Sequence, residues 1–302
     1  MEIHHFQHGW VTPAVSYTLS ALGSLLGLIC ATRLRAAHTR GGRLWWLTLS
    51  AVAIGGTGIW TMHFVAMLGF SVPGTPIRYD ATLTAASALL AIAAVGAGML
   101  VVFGGERARA LRIGAGGLLA GLGVAAMHYM GMYAMHLNGE LGYDRTKVIA
   151  SVVIAVVAAT VALWLTVTVQ KPVVIIGAAL IMGIAVNGMH FTGMAALSVR
   201  PGALDGTPSG TAATTMLIPI GLAVIFAVLG LVYALMATPT DEDRAAAAYL
   251  AARLEKGAAA SRPAAAPTPP FGGVPAAPHI PQQRKSALGG ATWTYRDRSR
   301  RE

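Results

Sequence analysis

The chain has 302 residues, 55% hydrophobic and only 11% charged, with a mean hydropathy of +0.61, which excludes an ordinary soluble domain and fits a multi-span membrane protein. Its formal charge of +10 sits in short loops and a tail beside apolar segments, so topology explains it better than nucleic acid does. A single cysteine, Cys30, excludes an internal disulfide framework and any cysteine-built zinc or iron–sulfur centre.

Met1 to Trp10 has no basic stretch before the first apolar run, so no cleavable signal peptide is expected. Seven runs then reach the roughly 20 residues that a bilayer-crossing helix needs. They are expected near Pro13–Thr32, Leu44–Phe70, Ala81–Phe103, Ile113–Met135, Val148–Val169, Val173–Leu197 and Met216–Ala237. Arg33, Arg35, Arg40 and Arg43 follow the first run, Arg107, Arg109 and Arg112 the third, and Lys171 the fifth. The opposite gaps carry Arg78, Arg145, Lys147 and Arg200, offset by Asp80, Glu140, Asp144 and Asp205. The excess of cations near the first set of gaps puts the N-terminus outside and the C-terminus inside. The fold class is therefore an all-α membrane protein of seven transmembrane helices, with residues 1–238 as its membrane domain. From 239 to 302 the Pro-, Ala- and Gly-rich composition reads as a disordered cytoplasmic tail, in which Asp241 to Lys256 is able to prolong the last helix.

Three of the runs contain the same hexapeptide: Met62-His63-Phe64-Val65-Ala66-Met67, Met127-His128-Tyr129-Met130-Gly131-Met132 and Met189-His190-Phe191-Thr192-Gly193-Met194. The histidines are 65 and 62 residues apart, a spacing that suggests repeated pairs of helices. Tyr79-Asp80 and Tyr143-Asp144 open the third and fifth helices at similar offsets, and an aspartate there is a natural helix cap. Helices two, four and six run in one direction, so all three histidines are expected at one depth near the outer face. An ionisable group inside a membrane helix is costly and marks a functional site.

In each copy the following methionine (Met67, Met132, Met194) is one turn past the histidine on the same face, and the preceding one (Met62, Met127, Met189) flanks it. Thioether sulfur selects Cu(I) and imidazole also suits copper, so His63, His128 and His190 with these methionines form a candidate copper site. Haem is not expected, since the spans offer one histidine apiece apart from His136 at an edge. Ala66, Gly131 and Gly193 allow close helix approach and leave room for a further ligand. His136 offers an accessory ligand, as do His4, His5 and His8 near the mouth of the site. Asn187, three residues before His190, is a plausible partner orienting its imidazole. Cys30 is expected to be a packing residue.

Met127-His128-Tyr129 and its near copies Met62-His63-Phe64 and Met189-His190-Phe191 resemble the signature of the MHYT family of bacterial integral membrane sensors, over about residues 11–200. The resemblance implies a place in the bacterial cytoplasmic membrane and sensing of oxygen, carbon monoxide or nitric oxide through copper held by Met62, His63, Met67, Met127, His128, Met132, Met189, His190 and Met194. It also implies a cytoplasmic signalling partner, because cyclase, phosphodiesterase or kinase domains common in the family are not legible in this sequence. No catalytic residues are assigned. A membrane copper oxidoreductase or electron carrier is the alternative reading, and a metal transporter a further one, weakened by spans free of Asp, Glu, Lys and Arg.

Overall fold

Seven helices long and apolar enough to cross a membrane dominate the computed structural model, which describes residues 9–201, 208–239 and 241–260. They are α1 (Val11–Ala36), a composite span Arg40–Met67, α4 (Ala81–Phe103), α5 (Arg109–Tyr133), α6 (Arg145–Thr168), α7 (Pro172–Met194) and α8 (Ala213–Ala237). The composite span consists of α2 (Arg40–Ala51), a π-helical segment Val52–Thr61 and α3 (Met62–Met67). Local chemistry sets several starts. Asp80 Oδ1 accepts the Leu83 N–H, Asp144 Oδ1 accepts those of Thr146 and Lys147, and Pro172 begins α7, where its missing N–H costs nothing.

Six of these spans close a ring. Around it α1 packs on the composite span, then come α4, α5, α6 and α7, and α7 returns to α1. Alternate members carry the three hexapeptides. At the closure α1 and the π segment touch backbone to backbone, since a Cβ placed on Gly23 would lie 2.3 Å from the Gly58 nitrogen. Serine side chains supply further ties: Ser50 Oγ donates to the Gly27 carbonyl across the α1–α2 seam. Two arginines bond the last carbonyls of α6, Arg35 those of Thr166 and Val169, and Arg109 that of Val167 at 3.1 Å. By contrast α8 lies outside the ring, with only Met216 and Leu231 buried.

The all-α expectation needs one correction, because short strands gather at the motif end of the bundle. β1 (Arg78–Tyr79) lies between β2 (Met135–His136) and β5 (Thr211–Ala212), and β3 (Gly139–Tyr143) pairs antiparallel with β4 (Leu197–Pro201). Helix α5 accordingly stops at Tyr133 rather than Met135, and α7 at Met194 rather than Leu197. The chain leaving each helix is claimed by the neighbouring copy: the Asp80 N–H donates to the Ala134 carbonyl at 2.8 Å and the Asp144 N–H to the Ala196 carbonyl at 2.9 Å. Backbone groups released at the helix ends are satisfied by these bonds and the strand ladders.

The chain divides after Thr240. Beyond it, the stretch able to prolong the last helix forms a helix of its own, α9 (Asp241–Ala260), α8 having ended at Ala237. Ala245 to Ala248 lie within it, and alanine has the strongest helix propensity. Residues 261–302, His4, His5, His8 and Asp205 lie outside the described residues.

Candidate metal centre

Each motif histidine sits four or five residues before its helix ends, so the three converge near one end of the ring. Nδ1 of His63 is 3.0 Å from Nδ1 of His190 and 3.1 Å from Nδ1 of His128. The three rings stand edge to face, with centroids 4.9, 5.0 and 5.2 Å apart and interplanar angles of 75, 78 and 88°. All three side chains are buried. One donor atom from each lies within 4.8 Å of the others, and no carboxylate or thiol joins the group among the described residues.

The other edge of two rings is pressed against the next copy. A Cβ at Gly131 would fall 2.3 Å from His63 Nε2, and one at Gly193 would fall 2.3 Å from His128 Nε2. His128 Nε2 is buried with no hydrogen-bond partner among the described residues. A cavity of about 10 Å³, the scale of one water molecule, borders His63 and is lined also by Trp60, Met67, Thr84, Ser87 and Gly131. Trp60 Nε1 donates to Ser87 Oγ at 3.0 Å, which anchors the turn just before His63 to α4. At the same end a cavity of about 1270 Å³ lies between residues 70–77 and the starts of α1 and α8, and Met67 forms part of its wall.

Five of the six methionines separate into two levels. Met67, Met132 and Met194 are buried in one cluster with Phe64, Tyr79 and Met135, whereas Met127 and Met189 belong to the core on the other side, and Met62 is buried as well. The residue one turn after each histidine thus joins its two counterparts.

Two accessory expectations are corrected. His136 is in β2 opposite Arg78, and its Nδ1 is 3.0 Å from the Ser209 carbonyl, outside the histidine group. The helix ends at Tyr133, so His136 is carried away by a strand. Asn187 accepts from Ser16 Oγ at 2.9 Å and donates to the Gly183 carbonyl at 2.8 Å. The first bond fastens α7 to α1, the second stays within α7, and neither orients His190. Cys30 is buried in the core, as expected.

Gly131 and Gly193 are legible in the sequence as small residues, but their contact with a histidine of the preceding copy depends on the ring order. The π segment was missed altogether; its Gly55, Gly56 and Gly58 were the available signal. π-Helical turns are rare and recur at functional sites.

Chemically, the group fits a metal. Three nitrogens bound at about 2.0–2.1 Å to a tetrahedral or trigonal ion stand roughly 3.3–3.6 Å apart, so the two spacings at His63, 3.0 and 3.1 Å, need to open by only a few tenths of an ångström. All donors are neutral, and burial cost rises with the square of the charge, so a monovalent ion costs about a quarter as much as a divalent one. At the same end, burial pushes the Tyr79 hydroxyl above the usual tyrosine range, and burial, with Tyr129 next in weight, does the same to Tyr143.

Residues 56–115, 121–179 and 183–251 each match the family described as MHYT, bacterial signalling protein N terminal repeat. The chain belongs to the MHYT family. Each match to this MHYT repeat begins within a histidine-bearing helix, crosses the helix that follows and ends in the one after it. The bifunctional diguanylate cyclase/cyclic di-GMP phosphodiesterase MucR of Pseudomonas aeruginosa is 40% identical over 201 residues, 65% of this chain and 29% of MucR. The cyclic di-GMP phosphodiesterase NbdA of the same organism is 38% identical over 172 residues, 54% of this chain and 21% of NbdA. An uncharacterised signalling protein of Caulobacter vibrioides is 38% identical over 160 residues, 52% and 19% of the two chains. The chain thus matches less than a third of the length of each of these relatives. No solved structure matches it. Its MHYT membership places it among bacterial membrane signalling proteins.

Proposed function

We propose that this MHYT protein senses through a copper ion, taken up as Cu(I) by His63, His128 and His190. The cluster of Met67, Met132 and Met194 lies one turn away and supplies the thioethers that favour copper over zinc. The observation that carries this reading is the meeting of three buried imidazoles from three repeats with no acidic group beside them among the described residues. Met62, Met127 and Met189 pack around the centre. The cation-rich loops at the other end of the spans favour a cytoplasmic location for that end and an outer location for the site. A diatomic gas, O2, CO or NO, is the proposed stimulus. The sequence relationship to MucR and NbdA favours an output to a cytoplasmic signalling partner.

When bound, Cu(I) would supply an electron-rich centre able to take a neutral diatomic ligand. The chain's own residues hold the imidazoles at fixed separation, exclude charge and shield the site with thioethers. The test is metal analysis of the detergent-purified protein, with His63, His128 and His190 each changed to Ala. One Cu(I) per chain is expected in the wild type, together with a CO-induced infrared band, and both are expected to be lost in each variant. Wild-type protein that stays copper-free after incubation with Cu(I) sinks the metal reading. Copper uptake without any CO or NO spectral change sinks the gas reading and favours an electron carrier.

A further inference from the structure

An imidazole offers two nitrogens on opposite sides of the ring, and whatever touches one decides what the other is free to do. In this ring of helices the choice is made by glycine. His63 Nε2 faces Gly131 and His128 Nε2 faces Gly193, each at a place where a Cβ would stand 2.3 Å away. Ring carbons are nearly as close: that Cβ would lie 3.1 and 3.3 Å from Cδ2 and Cε1 of His63, and 2.9 and 3.1 Å from those of His128. The distal edge of each ring therefore lies on the bare backbone of the next helix, and beside His63 and Gly131 the space left is the cavity of about 10 Å³, no larger than a water molecule. On the proximal side, Nδ1 of His63 lies 3.0 Å from Nδ1 of His190 and 3.1 Å from Nδ1 of His128.

The two contacts obey one rule. Each glycine is three residues past the histidine of its own copy and seats the histidine of the copy before it. Ala66 occupies the corresponding position of the first copy. Two equal contacts related by the repeat, together with the convergence of Nδ1 atoms, are hard to explain as incidental packing.

We infer that Gly131 and Gly193 are positioning residues that select Nδ1, and not Nε2, as the donor atom of the histidine centre. The inference rests on the proposed metal reading for what is bound, but the glycine–histidine pairing stands on geometry alone. Its consequence is that His63 and His128 keep the Nε2 proton when an ion binds. Neither glycine touches the ion. Each acts by letting the ring sink far enough for Nδ1 to reach the centre.

The test uses the full chain in nanodiscs, labelled with 15N and 13C at histidine. On addition of Cu(I), and of Ag(I) as a monovalent substitute that resists oxidation, the Nδ1 resonances of His63 and His128 are expected to move while both Nε2 atoms stay protonated. Deprotonated, ion-shifted Nε2 overturns the inference and leaves the metal reading standing. Gly131→Ala is expected to disturb the ring signals of His63 far more than those of His128, and Gly193→Ala the reverse. Each should weaken Cu(I) binding about 10- to 100-fold, the scale found when groups supporting a metal ligand are removed. Variants that bind Cu(I) like the wild type, with unmoved ring signals, overturn it. If neither variant folds, the wild-type spectra still decide which nitrogen is bound. If the wild type takes up neither ion, the metal reading fails, and the seats are decided by the pairing alone: selective disturbance supports them, and its absence overturns them.

Discussion

Replacing Gly23 by Ala tests the tightest backbone contact in the ring. The added Cβ would lie 2.3 Å from the Gly58 nitrogen, 2.5 Å from its Cα and 2.6 Å from the Ala53 carbonyl oxygen, whereas ordinary contact begins at 3.4 Å. Helix α1 and the π segment must therefore part by about 1 Å, and neither obstacle is a side chain that can swing away. Overpacking of this kind costs roughly 1–3 kcal/mol, and the backbone obstacles put Gly23→Ala at the upper end. At about 2–4 °C per kcal/mol for a domain near this size, the midpoint of thermal unfolding should fall by roughly 6–12 °C. The control is Gly221→Ala on the peripheral α8, where nothing lies within 4 Å of the new methyl. It should be neutral or gain up to about 1 kcal/mol from helix propensity. Circular dichroism melts in nanodiscs supply the comparison. Because Gly58 lies five residues before His63, Cu(I) affinity should drop in Gly23→Ala and not in Gly221→Ala. A Gly23→Ala protein that melts with the wild type refutes the close approach of α1 and, with it, the closure of the ring.

Changing Met67, Met132 and Met194 together to Leu keeps volume nearly constant, so each should cost less than about 1.5 kcal/mol; competition titrations should show the preference for Cu(I) over Zn(II) reduced. Asp144→Ala removes a cap that accepts two backbone N–H groups and should cost about 1 kcal/mol, with Asp80→Ala costing a similar amount; melting midpoints read both. Burial raises the Tyr79 hydroxyl above its unfolded range, so its neutral form stabilises the fold fully below about pH 10 and that contribution is lost as pH rises beyond it. Tyr79→Phe should therefore lose less stability than the wild type between neutral pH and about pH 11; parallel melting curves at those pH values refute this.

The sequence alone determined the seven spans, the two aspartate caps and the gathering of three histidines at one depth. Bilayer thickness fixes the length of an apolar helix, antiparallel chain order fixes its direction, and an i to i+4 step fixes which methionine shares a face with which histidine. Those rules act within one helix and need no knowledge of its neighbours. What only the tertiary structure decided concerns contacts between helices. α1 packs between α7 and the π segment, while α8, the third repeat's second helix, stays outside the ring. That order brings Gly131 to His63 and Gly193 to His128, and so turns Nδ1 inward. Sheet pairing takes His136 away, and Ser16 holds Asn187. Helical periodicity says which way a side chain leaves its own axis, but the atom it meets is set by which backbone stands opposite, and that depends on how six helices close into a ring.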